Sequence, residues 1–221
     1  MHQSARPTAS IAPAKPEHAP FLARIILAAS RSHLPRGPFD LALDIDDAEL
    51  LAIIERMTLG DVVSNCHFSR FLVAEAAGGP VGALAAFDPA EADLSSLSAA
   101  LETACSALGL GSQRIDRILE RVHVLDTCFP SAEPGTWTIE WVGVDATYRR
   151  RGICHQLLTA ILAKGAHHGC RVAQVSTYIG NEAATAAYMS AGFLASREHC
   201  TPELASLLGT PGLLIMRRNL P

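Results

Sequence analysis

The sequence predicts an α/β fold, one sheet flanked by helices, and three observations carry the prediction. From residue 136 onward, apolar runs of strand character alternate with segments of helical spacing. Those runs are apolar enough that their strands are expected to have no wet face. The first half adds two helical patterns and an apolar hairpin around Gly78-Gly79-Pro80.

The elements follow in chain order. Residues 1–10 are small and polar and read as a flexible tail, ahead of a single domain over 11–221, with a short first strand at Ser10 to Ala14. In PEHAPFLARIILAAS (16–30), Phe21, Leu22, Ile25, Ile26 and Ala29 fall at helical spacing behind a proline and an acidic start. SHLPRGPFD is rich in turn residues and reads as a break. DIDDAELLAIIERMTLG (44–60) reads as a second helix, with aspartates at its N-terminal end, Arg56 near its C-terminal end and Gly60 as the stop. SRFLVAEAAGGPVGALAAFDP (69–89) supplies the hairpin. Residues 90–126 are rich in Leu and Ala, and Gly109-Leu110-Gly111 divides them into helices over about 91–108 and 112–123. TWTIEWVGV (136–144) is a strand of β-branched and aromatic residues. An Arg-rich turn, a helix (152–166), a strand (171–178) and a helix (181–190) stopped by Gly192 come next. A strand opening at Phe193, a polar connection and a last strand GLLIMRR (212–218) complete the order.

Composition excludes several function classes. With 221 residues, 49% of them hydrophobic and 18% charged, the chain can bury a substantial core. A net charge of −4 argues against general nucleic-acid binding. No apolar run reaches the roughly 18 residues needed to cross a bilayer, and the start has no secretory h-region. The six cysteines are scattered, without C-x-x-C pairs or histidines at zinc-binding spacing, so no metal site is expected. Reduced thiols and a cytoplasmic location are the expectation.

Residues 148–154, YRRRGIC, join the 136–144 strand directly to a helix whose buried stripe is Ile153, Leu157, Leu158, Ile161 and Leu162. Such a turn leaves the first helical N–H groups unpaired and pointing one way, and with the helix dipole they form an anion site. Gly152 permits a positive φ or a close ligand approach. The flanking arginines can pair with phosphate oxygens, so the turn suits a pyrophosphate; the plain alternative is a solvated loop. It is neither a P-loop nor a dinucleotide fingerprint, because the further glycines are missing. Downstream, in STYIGNEAATAAYMSAGF (176–193), Asn181, Ala184 and Tyr188 fall at i, i+3 and i+7, on one helix face.

Together the two motifs resemble the GNAT superfamily of acyl-CoA-dependent N-acetyltransferases. The family's Arg/Gln-x-x-Gly-x-Gly/Ala turn is matched by Arg149-Arg150-Arg151-Gly152-Ile153-Cys154, with Cys154 where Gly or Ala is usual. Its Asn-x-x-Ala-x-x-x-Tyr-x-x-x-Gly-Phe segment is matched by Asn181, Ala184, Tyr188, Gly192 and Phe193. The resemblance, close over about 136–195, implies a mixed, mainly antiparallel sheet; the helical segment at about 90–130 reads as an insertion before the fourth strand, where the family often has only a tight turn. It implies acetyl-CoA as acyl donor, with coenzyme A as product. Backbone amides of Arg150, Arg151, Gly152, Ile153, Cys154 and His155, with the Arg149 and Arg151 side chains nearby, would hold the pyrophosphate. The main chain of Val142, Gly143 and Val144 would pair with the pantetheine arm, and an amide there would polarise the thioester carbonyl. Asn181 would bond the pantetheine end, and Tyr188 would point at the sulfur.

Attack on a thioester needs a neutral amine, yet alkyl amines near pKa ~10.4 are mostly protonated at pH 7, so a base is expected. Glu140 is the candidate, placed by period 2 on the same side of its strand as Val142 and Val144. Burial would raise it toward a useful range; a salt bridge or an outward position is the alternative. Tyr188 would supply a proton to the leaving thiolate. The acceptor would be a small-molecule or peptide amine. The apolar faces of the 90–130 helices are expected to pack on the sheet or on a second copy in a homodimer. A non-catalytic acyl-CoA-binding module remains the alternative to an enzyme, and the Asp40, Asp44, Asp46 and Asp47 cluster reads as helix capping before it reads as a substrate site.

Overall fold

The computed structural model describes residues 9–221 apart from Ala77 and Ala132, so the expected tail lies almost wholly outside the described residues. Seven strands make one sheet: β1 (Ser10–Pro13), β2 (Phe71–Ala76), β3 (Gly79–Phe87), β4 (Thr136–Val144), β5 (Val172–Tyr178), β6 (Leu194–Cys200) and β7 (Gly212–Asn219). Their order is β1-β2-β3-β4-β5-β7-β6, and every neighbouring pair is antiparallel except β4 and β5. This is the mixed, mainly antiparallel sheet expected.

Alternation along the strands divides the interior into two cores. On β3, Ala83 and Ala85 face one and Leu84 and Ala86 the other. The first core is covered by α1 (Ala19–Arg31), with α2 (Pro38–Leu43) and α3 (Asp47–Leu59) beside it; Leu22, Ile26, Leu50, Ile53, Ile54 and Met57 are completely buried there. Each such side chain contributes about 1.5–3 kcal/mol of burial. The second core is closed by α6 (Ile153–His167) and α7 (Glu182–Ser190) through Leu157, Leu158, Ile161 and Tyr188. Two helices, α4 (Leu94–Ala107) and α5 (Ser112–Asp126), lie between β3 and β4 in sequence. Their apolar residues Leu101, Ala104, Ile115 and Ile118 are buried in the first core, where α4 packs on α3 and α5 on α2. They add an outer layer to those helices instead of packing directly on the sheet. Among the described residues, no helix is long and apolar enough to cross a membrane.

Three local expectations are corrected. The stretch read as a break contains α2: Gly37 precedes it, Pro38 opens it, and Asp40 reaches back to accept from the Gly37 N–H at 2.7 Å. Proline at a first helical position costs no hydrogen bond, so the same residues that mark turns also mark helix starts. The polar connection before the last strand likewise contains α8 (Pro202–Leu208), where Thr201 accepts from Leu204 N–H and Gly209 closes the helix in the left-handed region. β6 is wet, nearly all of it exposed, because it is a sheet edge with an irregularity between Ala195 and Arg197.

The acidic cluster is spent on architecture. Asp46 caps α3 by accepting from Ala48 and Glu49 N–H. Arg31, at the end of α1, donates to Asp40 and to Asp47, fastening α2 and α3 to α1. Burial works to raise Asp40, yet Arg31 and the Gly37 N–H hold it below the usual carboxylate range. Asp44 pairs with Arg36.

Gly165 on α6 packs flat on Trp137, whose indole N–H donates to Ile161 O at 2.9 Å, and an added Cβ would sit 2.5 Å from the ring. Glycine to alanine inside a helix normally gains up to about 1 kcal/mol. Here overpacking, at about 1–3 kcal/mol, opposes it. Gly165→Ala is therefore expected to lower Tm by about 2–6 °C in calorimetry. An unchanged or higher Tm would mean that Trp137 yields.

Candidate active site

The site begins where a ladder ends. β4 and β5 pair in parallel from Thr136↔Val172 to Ile139↔Val175. Beyond that, β5 continues along β7 from Ser176↔Ile215 to Tyr178↔Leu213, and β4 continues along β3 through Gly143↔Ala83 and Val144↔Gly82. The two strands thus part, and main-chain groups of β4 beyond Ile139 face an opening instead of a partner strand. Such groups must find other partners, and an extended ligand arm can supply them.

The β3–β4 register slips between Ala83 and Ala85, and Trp141 is left-handed at φ 53°. This bulge puts an extra residue on β4 and resets the alternation. Ile139, Val142 and Val144 pack against the second core, and Trp141 packs against the first with its ring 5.9 Å from that of Phe39. Glu140 also turns to the first-core face, toward the segment carrying Asn65 and the fully buried Cys66. It is therefore opposite Val142 and Val144, not beside them, because period 2 fails across a bulge. Gly143 admits α1 closely, since a Cβ there would lie 2.9 Å from Ile25 Cδ1.

Glu140 is half-buried and its Oε2 accepts from Asn65 Nδ2 at 2.8 Å. Burial pushes its carboxyl up to about 7, with the Asn65 donor working the other way. Burial and the Glu140 charge push the Cys66 thiol up, so it stays protonated. Asn65 Oδ1 and Trp141 Nε1 are buried without a partner among the described residues.

The arginine turn leaves the C-terminal end of β4. Arg150 and Gly152 are both left-handed, at φ 58° and 83°, and together with the first turn of α6 they form a concave row of main-chain amides. No side chain caps α6; Gln156 N–H is bonded to Gly152 O, which leaves the Ile153, Cys154 and His155 N–H groups at the helix start without helical partners. Gly152 is required by its φ, since a Cβ would meet nothing nearer than Gln156 Nε2 at 3.9 Å. The arginines are exposed but not all free: Arg149 Nε donates to Val144 O at 3.2 Å, and the Arg151 guanidinium stacks 5.1 Å over Tyr148. Cys154 packs inward on the second core, leaving the amide row unobstructed, and burial pushes its thiol up to about 11. A thiol that weakly acidic makes a poor nucleophile at neutral pH. A groove of about 760 Å3 starts at His155 and runs along α6 between the end of α7 and Arg218.

Asn181 proves to be the N-cap of α7 rather than a member of its face. Its Oδ1 accepts from Ala184 N–H at 3.0 Å and its Nδ2 donates to Ser32 Oγ at 2.6 Å, which leaves one N–H for a ligand. Tyr188 is buried against Phe193, ring centroids 6.2 Å apart. Burial, helped by nearby Cys154, raises its hydroxyl above the ordinary value. Glu140 and Tyr188 thus approach the opening from opposite faces of the sheet. Asn65 and Ser32 belong to no local motif; only the fold brings them here.

Comparison with known proteins adds to this geometry. The chain matches the model of the acetyltransferase (GNAT) family over residues 46–193. Its structure is similar to that of an acetyltransferase at 19% identity, covering 96% of this chain and 100% of that one, with a TM-score of 0.70. It is similar also to an N-acetyltransferase from Staphylococcus aureus Mu50 at 22% identity, covering 95% and 100%, with a TM-score of 0.66. The structure of yncA from Salmonella typhimurium with its cofactor acetyl-CoA is similar at 14% identity, covering 97% and 95%, with a TM-score of 0.56. At such identities the likeness is one of fold. No curated protein matches the chain.

The Glu140 carboxyl has a consequence that stability measurements will read. Between about pH 4.5 and 7 the folded protein keeps a proton there that the unfolded chain has released, so stability falls as pH rises through that window and levels off above it. Glu140→Gln is expected to gain on the wild type over the same window, by on the order of 2 kcal/mol above pH 7. Urea denaturation at a series of pH values checks this; parallel curves would refute it.

Proposed function

The chain belongs to the acetyltransferase (GNAT) family, and from that premise we propose that it transfers an acetyl group from acetyl-CoA to a primary amine by direct attack. The observation that carries the reading is a carboxyl pushed up to about 7, set beside the opening between β4 and β5. Residues 11–221 then act as one catalytic domain. The six cysteines are all unpaired, which fits a reducing, cytoplasmic setting.

Bound acetyl-CoA would supply a thioester, the electrophile. The left-handed turn at Arg150 and Gly152 and the amides of Ile153, Cys154 and His155 fit a pyrophosphate, since they are donors without partners at the positive end of a helix. Arg150 is the arginine with most freedom to add charge there; Arg149 and Arg151 stabilise the turn first. Val142, Gly143 and Val144 offer the strand edge for an extended arm, and the remaining Asn181 N–H would serve its far end.

Glu140 takes the proton of the attacking amine, directly or through one water. A base near 7 is about half ionised at neutral pH and still strong enough to share the proton. Tyr188 is a different kind of helper. Its hydroxyl is a weaker acid than the departing thiol, near pKa ~8.5, so it steadies the sulfur by donating a hydrogen bond more than by giving up its proton. The amine is small or peptidic, and its identity is the first thing to screen, by following thiol release from acetyl-CoA across a panel of amines.

Two outcomes test the reading. Titration calorimetry should find acetyl-CoA binding in the wild type that drops at least tenfold in Gly152→Val, with Tm checked in parallel; equal binding would remove the cradle. Glu140→Gln should bind acetyl-CoA as the wild type does but turn over about 10²–10⁴-fold more slowly. Full turnover in that variant would remove Glu140 as base, and binding without any turnover in the wild type would favour a non-catalytic acyl-CoA-binding module.

A further inference from the structure

Asn65 lies in the segment between α3 and β2, which its own backbone holds in place. Ser64 N–H bonds to Val62 O, Cys66 N–H to Ser64 Oγ and His67 N–H to Ser64 O, and neither Ser64 nor Cys66 is exposed at all. From this firm base Asn65 Nδ2 reaches Glu140 Oε2 at 2.8 Å, across 75 residues of chain. Its other polar atom, Oδ1, is buried and has no partner among the described residues. Half of the amide is thus used and half is idle. An idle buried acceptor is costly, and a group that is kept so is worth explaining.

Glu140 changes what it asks of a neighbour when it takes a proton. The carboxylate only accepts hydrogen bonds; the acid carries an O–H that must donate. We infer that Asn65 is a positioning residue serving both states of Glu140. It donates through Nδ2 to the carboxylate and, after a half-turn of its amide, accepts through Oδ1 from the acid. This rests on reading Glu140 as the base. As the amine nitrogen forms its bond to the acetyl carbon, the amine proton moves to Glu140 and the new O–H finds Oδ1; the carbon–sulfur bond then breaks, and coenzyme A leaves as a thiolate that takes its proton from solvent. When Glu140 releases the proton to solvent, the amide turns back.

Few other charges interfere. Cys66 is the titratable neighbour and stays protonated. His67, farther along the same segment, is lowered by burial and by the Arg70 charge and does not act on Glu140. β3 sets Ala85 opposite Glu140, and α1 sets Ile25 over Gly143. A change in Glu140 on altering Asn65 therefore reports on the amide.

Infrared spectroscopy of the full chain without substrate tests the inference. The carbonyl band of protonated Glu140 is the one lost in Glu140→Gln. In Asn65→Leu that band should move to the higher frequency of an unbonded acid. Its midpoint should rise by about half to one pH unit, because a bond to the charged form is worth more than one to the neutral form. In the wild type, the Asn65 side-chain amide protons should shift in nuclear magnetic resonance with the same midpoint as Glu140. An acid band unmoved in Asn65→Leu, or amide protons that ignore the titration, would overturn it. In turnover, Asn65→Leu should carry its acid limb upward by the same interval, with KM for acetyl-CoA within about twofold. Because the spectra need no substrate, full activity of Glu140→Gln would sink the base alone and leave the pairing standing.

Discussion

The end of the β4–β5 ladder is the constraint on which the site depends. Both strands keep their outer partners past Ile139 and Val175, so the sheet stays whole at its flanks and opens in its interior. The elements proposed to form the site lie around that opening. The bulge at Trp141 sends Glu140 to one face and Val142 and Val144 to the other. α6 starts after the short 3-10 turn and the arginines that follow β4, and α7 starts just beyond β5. Where parallel strands separate beyond their carboxyl ends, α/β proteins commonly bind ligands, for the same geometric reason.

Charge and main chain divide the work differently than the composition suggests. The triple arginine draws the eye, yet two of its side chains are engaged locally, with Val144 O and with the Tyr148 ring. The concave surface is made of amides, fixed by two left-handed residues and a helix start. Backbone donors need no side-chain ordering when a ligand arrives, which makes them an economical way to hold an anion. The aspartates of 40–47 are likewise absorbed, by Arg31, Arg36 and the start of α3.

The sequence made legible what is local. Periodicity and turn residues placed the seven strands and the long helices, and the two motifs placed the arginine turn and Tyr188 within segments whose geometry short-range sterics determine. Short helices opened by proline, α2 and α8, passed as turns because proline marks both. The side of the sheet taken by Glu140 was not legible, since a left-handed tryptophan has no signature and period 2 assumes an unbroken ladder. Asn65 and Ser32 were out of reach for a simpler reason: their partners, Glu140 and Asn181, are distant in the chain.

The bond from Asn181 to Ser32 spans 149 residues and joins the end of α1, on one face, to the start of α7, on the other. Closure cost grows only with the logarithm of separation, so the length of the span is itself a small burden. What the bond does is couple the two faces: the last turn of α1 and the first turn of α7 share one polar contact, and a shift of either end is felt by the other.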